Sequence, residues 1–213
     1  MNPVIRFLVP ALAGVALAAC AALGGKPTPF SIHSLVVPAF DAPQAAPVDW
    51  QLQVLLPQAS SALDSARIAV MPTPGVLEVY PAVRWRDPAP RLLRSLVVQA
   101  FDASGRITGV SGAQTGLTAD YALAIDLHDF QAEIESGGTR AAIRLQARLF
   151  DLQSNRILAT HAFAATAPAA GSDAAGAVAA FDDALADLLP ALVDWTIATG
   201  NAAHARETAP PAR

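Results

Sequence analysis

The side chains able to do chemistry are few. There are four histidines, one cysteine and a handful of acid pairs. No two of His33, His128, His161 and His204 stand at a metal-ligand spacing such as H-x-x-x-H, so no metal site is expected. His128 has Asp129 beside it, and a carboxylate there could orient the ring; a structural role is the favoured reading. Gly109-Val110-Ser111-Gly112-Ala113 begins like a nucleophile elbow but lacks the final glycine, and no helix start follows it. A turn after a strand explains it better than a hydrolase serine. Glu133 and Glu135 fall on one strand face beside arginines, whereas a general acid needs a carboxyl group in a dry pocket. No phosphate-cradling glycine loop is present, so the chain is not expected to hydrolyse ATP. Cys20 is the only cysteine, which excludes an internal disulfide and a cysteine-rich zinc module. The reading is of a chain with no catalytic residue, cofactor or metal site.

Cys20 has another use. Arg6 is followed by an apolar run over 7–19, broken by Pro10 and Gly14. That run is too short to span a bilayer core of roughly 30 Å. It fits the apolar region of a secretory signal. Its end, Leu17-Ala18-Ala19-Cys20, resembles a bacterial lipobox, in which the cysteine is lipidated and becomes the mature N-terminus. The resemblance implies acyl chains, palmitate among them, on Cys20. At roughly 0.8 kcal/mol per buried CH₂, several chains anchor durably. Ala21, rather than Asp, follows Cys20, which resembles the pattern sorted to the outer membrane.

Composition bounds the rest. The chain has 213 residues, 53% hydrophobic and 15% charged, with net charge −4. That is one domain with tails at about 150 residues per domain. Wholesale disorder is excluded by the apolar content. A sequence pI of 5.4 argues against a nucleic-acid partner. The expected organisation is a signal over 1–19, a Gly/Ala/Pro tether over 20–29, a domain over 30–199 and a disordered tail over 200–213.

The elements follow from periodicity. Strands are expected over 30–37, 50–56, 67–71, 76–85, 106–110 and 156–164. In 76–85, Leu77, Val79, Val83 and Trp85 are expected on one face, and Glu78, Tyr80 and Arg84 on the other. Asp87 and Pro88 read as the N-cap and first residue of a helix that stops at Gly105. A long helix over 172–199 carries the stripe Val178, Phe181, Leu185, Leu188, Leu192 and Trp195, with a kink at Pro190. The fold class is α+β: a single mixed, mostly antiparallel sheet with two helices packed on one face.

The sharpest local signal is a hairpin at Gly137-Gly138. A two-residue turn there pairs Glu135 with Arg140 and Glu133 with Ala142. Phe130, Ala132 and Ile134 then share a face with Ala141, Ile143 and Leu145. The other face carries Asp129, Glu133 and Glu135 against Arg140, Arg144 and Arg148. Tyr121 to Leu127 are in the opposite phase to Phe130, so a bulge is expected near His128. The stripe Arg140, Arg144 and Arg148 is the candidate contact for anionic phospholipid or an acidic partner, set against its pairing with the neighbouring carboxylates.

Several segments together resemble the ABC-type transport auxiliary lipoproteins, the PqiC-like intermembrane transport lipoproteins among them. They are Trp50-Gln51-Leu52-Gln53-Val54, Leu63-Asp64-Ser65-Ala66-Arg67-Ile68-Ala69-Val70, Arg84-Trp85-Arg86-Asp87-Pro88-Ala89-Pro90-Arg91-Leu92-Leu93, Ala119-Asp120-Tyr121-Ala122-Leu123, Leu127-His128-Asp129-Phe130-Gln131-Ala132-Glu133 and Ala179-Ala180-Phe181-Asp182-Asp183-Ala184-Leu185. The Arg-Trp-x-Asp-x-Pro segment is the most specific. The resemblance implies a non-catalytic lipoprotein at the outer membrane, facing the periplasm. Its implied partners are an MCE-domain protein and the permease and ATPase of an ABC transporter, which together move lipid between membranes. It is compatible with a homo-oligomer. The alternative is a structural or regulatory envelope lipoprotein, such as a cell-wall synthase activator.

Overall fold

The computed structural model describes residues 30–43, 46–112 and 118–208. Among the described residues, nine strands form one mixed sheet and two helices cover one of its faces, as expected of an α+β chain. The strands are β1 (Ser31–His33), β2 (Leu52–Val54), β3 (Gln58–Ala59), β4 (Arg67–Thr73), β5 (Val76–Trp85), β6 (Val110–Ser111), β7 (Tyr121–Glu135), β8 (Gly138–Asp151) and β9 (Arg156–Pro168). The helices are α1 (Ala89–Ser104) and α2 (Ala174–Glu207).

β7 is the spine. One edge takes β8 antiparallel, and β9 follows beyond it. The other edge takes three short parallel partners in series: β2 at Tyr121–Leu123, β3 at Asp126–Leu127 and β4 at Gln131–Glu133. β4 pairs antiparallel with β5, and β5 pairs parallel with β1. β1, β5 and β4 thus form a wing off the end of the spine.

The core lies between sheet and helices. Trp85, Phe130 and Phe181 form a ring cluster with centroids 4.8 to 5.8 Å apart. Such a side chain contributes about 1.5–3 kcal/mol by leaving water. A second contact pins the far end of α2. Trp50 meets Tyr121 edge-on at 5.2 Å, and its indole N–H donates to Asn201 Oδ1 at 2.9 Å.

Several expectations need correction. The hairpin turn is Ser136-Gly137, with Gly138 at φ 120, so Glu135 opposes Gly138 and Glu133 opposes Arg140. The expected register is two residues off. A two-residue slip keeps every side chain on its face, so the inner and outer sets stand. The bulge near His128 is present, between Leu127 and Asp129.

β5 inverts part of its expected pattern. Ala82 takes φ 58, and the register with β4 shifts there. Val79 opposes Ala69, which opposes Gln131, so Val79 lies on the outer face with Gln131. Tyr80 instead packs inward with Val70, Ala132 and Ala177. Trp85, beyond the bulge, points into the core.

Asp87 is not the N-cap of α1. Pro88 holds that position with ψ 140 and no side-chain cap bond, and the Ala89 N–H donates to Ser65 O at 3.1 Å instead. Gly105 does end α1 in the left-handed region, at φ 62. Only Ser31–His33 of the 30–37 strand is paired, the 50–56 strand shrinks to Leu52–Val54, and the 106–110 strand becomes β6 plus one bridge from Ile107 to Val48.

α2 passes through Pro190 and continues to Glu207, so 200–207 is helix rather than tail. Gly200 lies inside the helix. A Cβ there would lie 2.5 Å from the Trp50 ring, so the glycine is the notch that admits Trp50.

Candidate functional site

The outer face of β7 and β8 gathers the charged candidates. Because the strands alternate, Asp126, Asp129 and Glu133 face the arginines of β8 across the ladder. Arg140 bonds Glu133 at 2.8 Å and Glu135 at 2.9 Å. Arg144 bridges Glu133 at 2.9 Å and Asp129 at 3.1 Å. Arg148 bonds Asp126 at 2.6 Å and donates to Gln146 Oε1 at 2.8 Å.

Glu133 is the hub, with its side chain only 12% exposed. Burial alone would raise its pKa. The bonds from Arg144 and Arg140 outweigh that and hold the carboxyl below the ordinary value of 4.5. Glu133 and Asp129 in turn hold the Arg144 guanidinium above its ordinary value. The arginine stripe is therefore assembled as expected, and every member already holds a carboxylate.

The other candidates lie apart. Ser111 lies on β6 at the edge of the sheet, and the rest of its loop, 113–117, is outside the described residues. His128 is exposed at the bulge. His161 stacks on Trp195 at 5.9 Å and meets Phe163 edge-on at 4.6 Å. His204 Nε2 lies 3.5 Å from Asp49. The His33 carbonyl accepts from the Arg86 N–H. Among the described residues no cluster of three His, Cys, Asp or Glu side chains could hold a metal. Cys20, the tether over 20–29 and the signal over 1–19 lie outside the described residues.

One open cleft of about 570 Å³ runs between the 39–48 loop and α2, lined by Phe40, Val48, Pro190 and Ile197. Three charged side chains line it, Asp41, Arg106 and Asp194, and the last two bond each other. Two polar contacts were not anticipated from sequence. Tyr121 donates to Glu207 at 3.3 Å, and burial, then that carboxylate, pushes the phenol up to about 12. Asp182 accepts from the Val36 N–H at 2.8 Å; burial, only partly offset by that bond, keeps its carboxyl above the ordinary range. Both partners lie more than eighty residues away in the chain, so no local spacing signals them.

A family model for the ABC-type transport auxiliary lipoprotein component matches residues 33–193. Protein XCC0632 from Xanthomonas campestris has a crystal structure with TM-score 0.76 to this fold and 36% identity, covering 81% of this chain and 98% of that one. A second solved structure, of an uncharacterized protein, shares the fold at TM-score 0.60 and 14% identity, over 78% of this chain and 97% of that one. The uncharacterized protein bll6063 from Bradyrhizobium diazoefficiens is 27% identical over 177 residues, 82% of this chain. The chain spans about half the length of that curated relative, 47%. The matched span runs from the last residue of β1 into the second half of α2, so it takes in α1, more than half of α2 and the whole spine of the sheet; the chain belongs to the ABC-type transport auxiliary lipoprotein family.

Proposed function

We propose that this chain is a non-catalytic accessory of an MCE/ABC-type intermembrane lipid transport system. In this reading Cys20 carries the lipid that holds the protein at the outer membrane, facing the periplasm. The tether over 20–29 gives the domain reach, and the domain docks the end of the MCE conduit. The carrying observation is that the family match covers the folded domain itself, residues 33–193, rather than a signal or a tail. The arginine stripe adds support of a limited kind. Its arginines are engaged with carboxylates, which suits a rigid sheet better than a pocket for a small anion.

The test is gentle extraction of the tagged protein from its native membranes, with copurifying proteins identified by mass spectrometry. Recovery of an MCE protein, with or without permease and ATPase, supports the reading. Recovery of cell-wall synthases in their place overturns it. For the anchor, Cys20→Ser should move the protein out of the outer-membrane fraction and stop transport. Retention there with transport intact sinks the anchoring role.

A further inference from the structure

The two margins of the sheet differ in length. β1, at one margin, has three residues. β9, at the other, has 13 and, among the described residues, pairs with β8 alone. Long edges are usually guarded by charge. From Ile157 to Ala167, β9 carries no Lys, Arg, Asp or Glu. The ladder shows which main-chain groups this edge presents. Antiparallel pairs alternate between those that exchange bonds and those that do not. Just past the strand, in the register of β8 and β9, the Ala169 N–H donates to Thr139 O at 2.8 Å. On the far side of β8, the Leu152 N–H donates to Asp120 O at 3.0 Å, in the register of β7 and β8. Both bonds give one parity: even-numbered residues of β8 bond β7, and odd-numbered ones bond β9. In β9, therefore, His161, Phe163, Ala165 and Ala167 bond β8. Thr160, Ala162, Ala164 and Thr166 turn their N–H and C=O groups to the edge. Pro168 shares that parity, and an edge is where a proline loses no ladder bond.

We propose that the β9 edge pairs antiparallel with β9 of a second copy of this chain, about a two-fold axis at Phe163. Thr160 then opposes the partner's Thr166, and Ala162 the partner's Ala164, each pair exchanging both main-chain bonds. A second copy fits this edge because the four residues that present it read Thr-Ala-Ala-Thr, the same in either direction. An interface between identical patches needs that symmetry. All four side chains are exposed, small and uncharged, and threonine opposite threonine is a favourable cross-strand pair. The ends fix the register. Centring on Ala164 would set Thr160 against the partner's Pro168, which has no N–H to give. Centring on Ala162 would set Thr166 against the partner's Leu158, where β9 shifts register. On the inner face, Phe163 meets the partner's Phe163 at an unbonded position, where side chains approach most closely. His161, exposed on its stack with Trp195 and Phe163, meets the partner's Ala165. The sheet continues through the axis, with the helices of both copies on one side.

The inference does not depend on what the domain docks, and its test reads the edge directly. The full chain is purified in detergent and its protein mass is followed by light scattering from about 1 μM to about 100 μM. A doubling of mass is expected. Amide hydrogen exchange resolved by NMR gives the second readout. At the higher concentration, exchange at Thr160, Ala162, Ala164 and Thr166 should slow at least about tenfold. His161, Phe163, Ala165 and Ala167 are protected by β8 at every concentration. Ala164→Pro removes one edge N–H and no bond to β8, so it should fold and remain a monomer throughout. If that variant fails to fold, the alternation of exchange in the unaltered chain decides. A monomer at every concentration overturns the proposal. So does a dimer that leaves the four even-numbered amides fast, or one that Ala164→Pro does not weaken, as two chains sharing a micelle through their anchors would. Amides of a monomer that slow only when envelope proteins are added would overturn it in favour of a strand from another protein.

Discussion

The hairpin and the wing present the same outer sheet face, yet they treat their arginines in opposite ways. On β7 and β8, Arg140, Arg144 and Arg148 each bond a carboxylate of β7. On β4 and β5, Arg67 lies across from Arg84. The difference comes from backbone geometry. The hairpin runs with one bulge, so its charge pattern reads straight across the ladder. In the wing, the shift at Ala82 sends Tyr80 inward and leaves Leu77 and Val79 outside. A regular ladder yields an internally satisfied surface. A bulged one leaves aliphatic side chains exposed on the outer face.

The two regions share one inner face, so the largest prediction tests whether they stand on a common core. Phe181 is fully buried against Trp85 of the wing and Phe130 of the hairpin. Phe181→Ala should cost about 3–5 kcal/mol, read from urea midpoints. A single cooperative transition is expected by circular dichroism and by tryptophan fluorescence. Two separate transitions would mean that wing and hairpin fold independently.

The next effect separates the regions. Glu133→Gln removes the hub that holds Arg140 and Arg144, and should cost about 2 kcal/mol. Arg67→Ala in the wing should stay within about 0.5 kcal/mol. If both cost the same, the contrast between the two regions has no energetic content.

The pH dependence sharpens the same contrast. The Glu133 carboxyl is held below 4.5 in the folded chain. A depressed carboxylate contributes stability that is complete above its unfolded value. That contribution fades as pH falls through the lower folded value. The stability gap between wild type and Glu133→Gln should therefore be constant from pH 7 to about pH 5 and close below it. The gap between wild type and Arg67→Ala should not change over that range. Urea midpoints across the acid range check both.

Much of this architecture was legible in the sequence, and the exceptions have physical reasons. The inner and outer faces of the hairpin follow from alternation, and a period of two survives a register error of two. The bulge at His128 was legible because the apolar phase breaks there. The inversion at Ala82 was not, since alanine carries no preference for a left-handed φ. Nor was the true end of α2. The polar residues after Thr199 read as tail, and only the Trp50 ring, 150 residues earlier in the chain, explains the glycine at 200. The arginine stripe was readable as a group. The Arg67–Arg84 opposition needs the register of β4 on β5, which a bulge hides from any pattern count.

The smallest predicted effect carries the sign that matters. Arg67→Glu replaces a like pair across the ladder with an opposite one, and should stabilise the isolated protein by about 0.5 kcal/mol. Most surface substitutions are neutral or destabilising, so a gain at this site identifies repulsion between Arg67 and Arg84 in the native fold. Salt gives the second check. Added salt screens the repulsion, so the advantage of Arg67→Glu should shrink as ionic strength rises toward about 1 M, where the screening length is about 3 Å. A gain that ignores salt would come from strand propensity or packing. A loss would mean that Arg84 does not sense Arg67 at all. Melting curves at low and high salt distinguish the three.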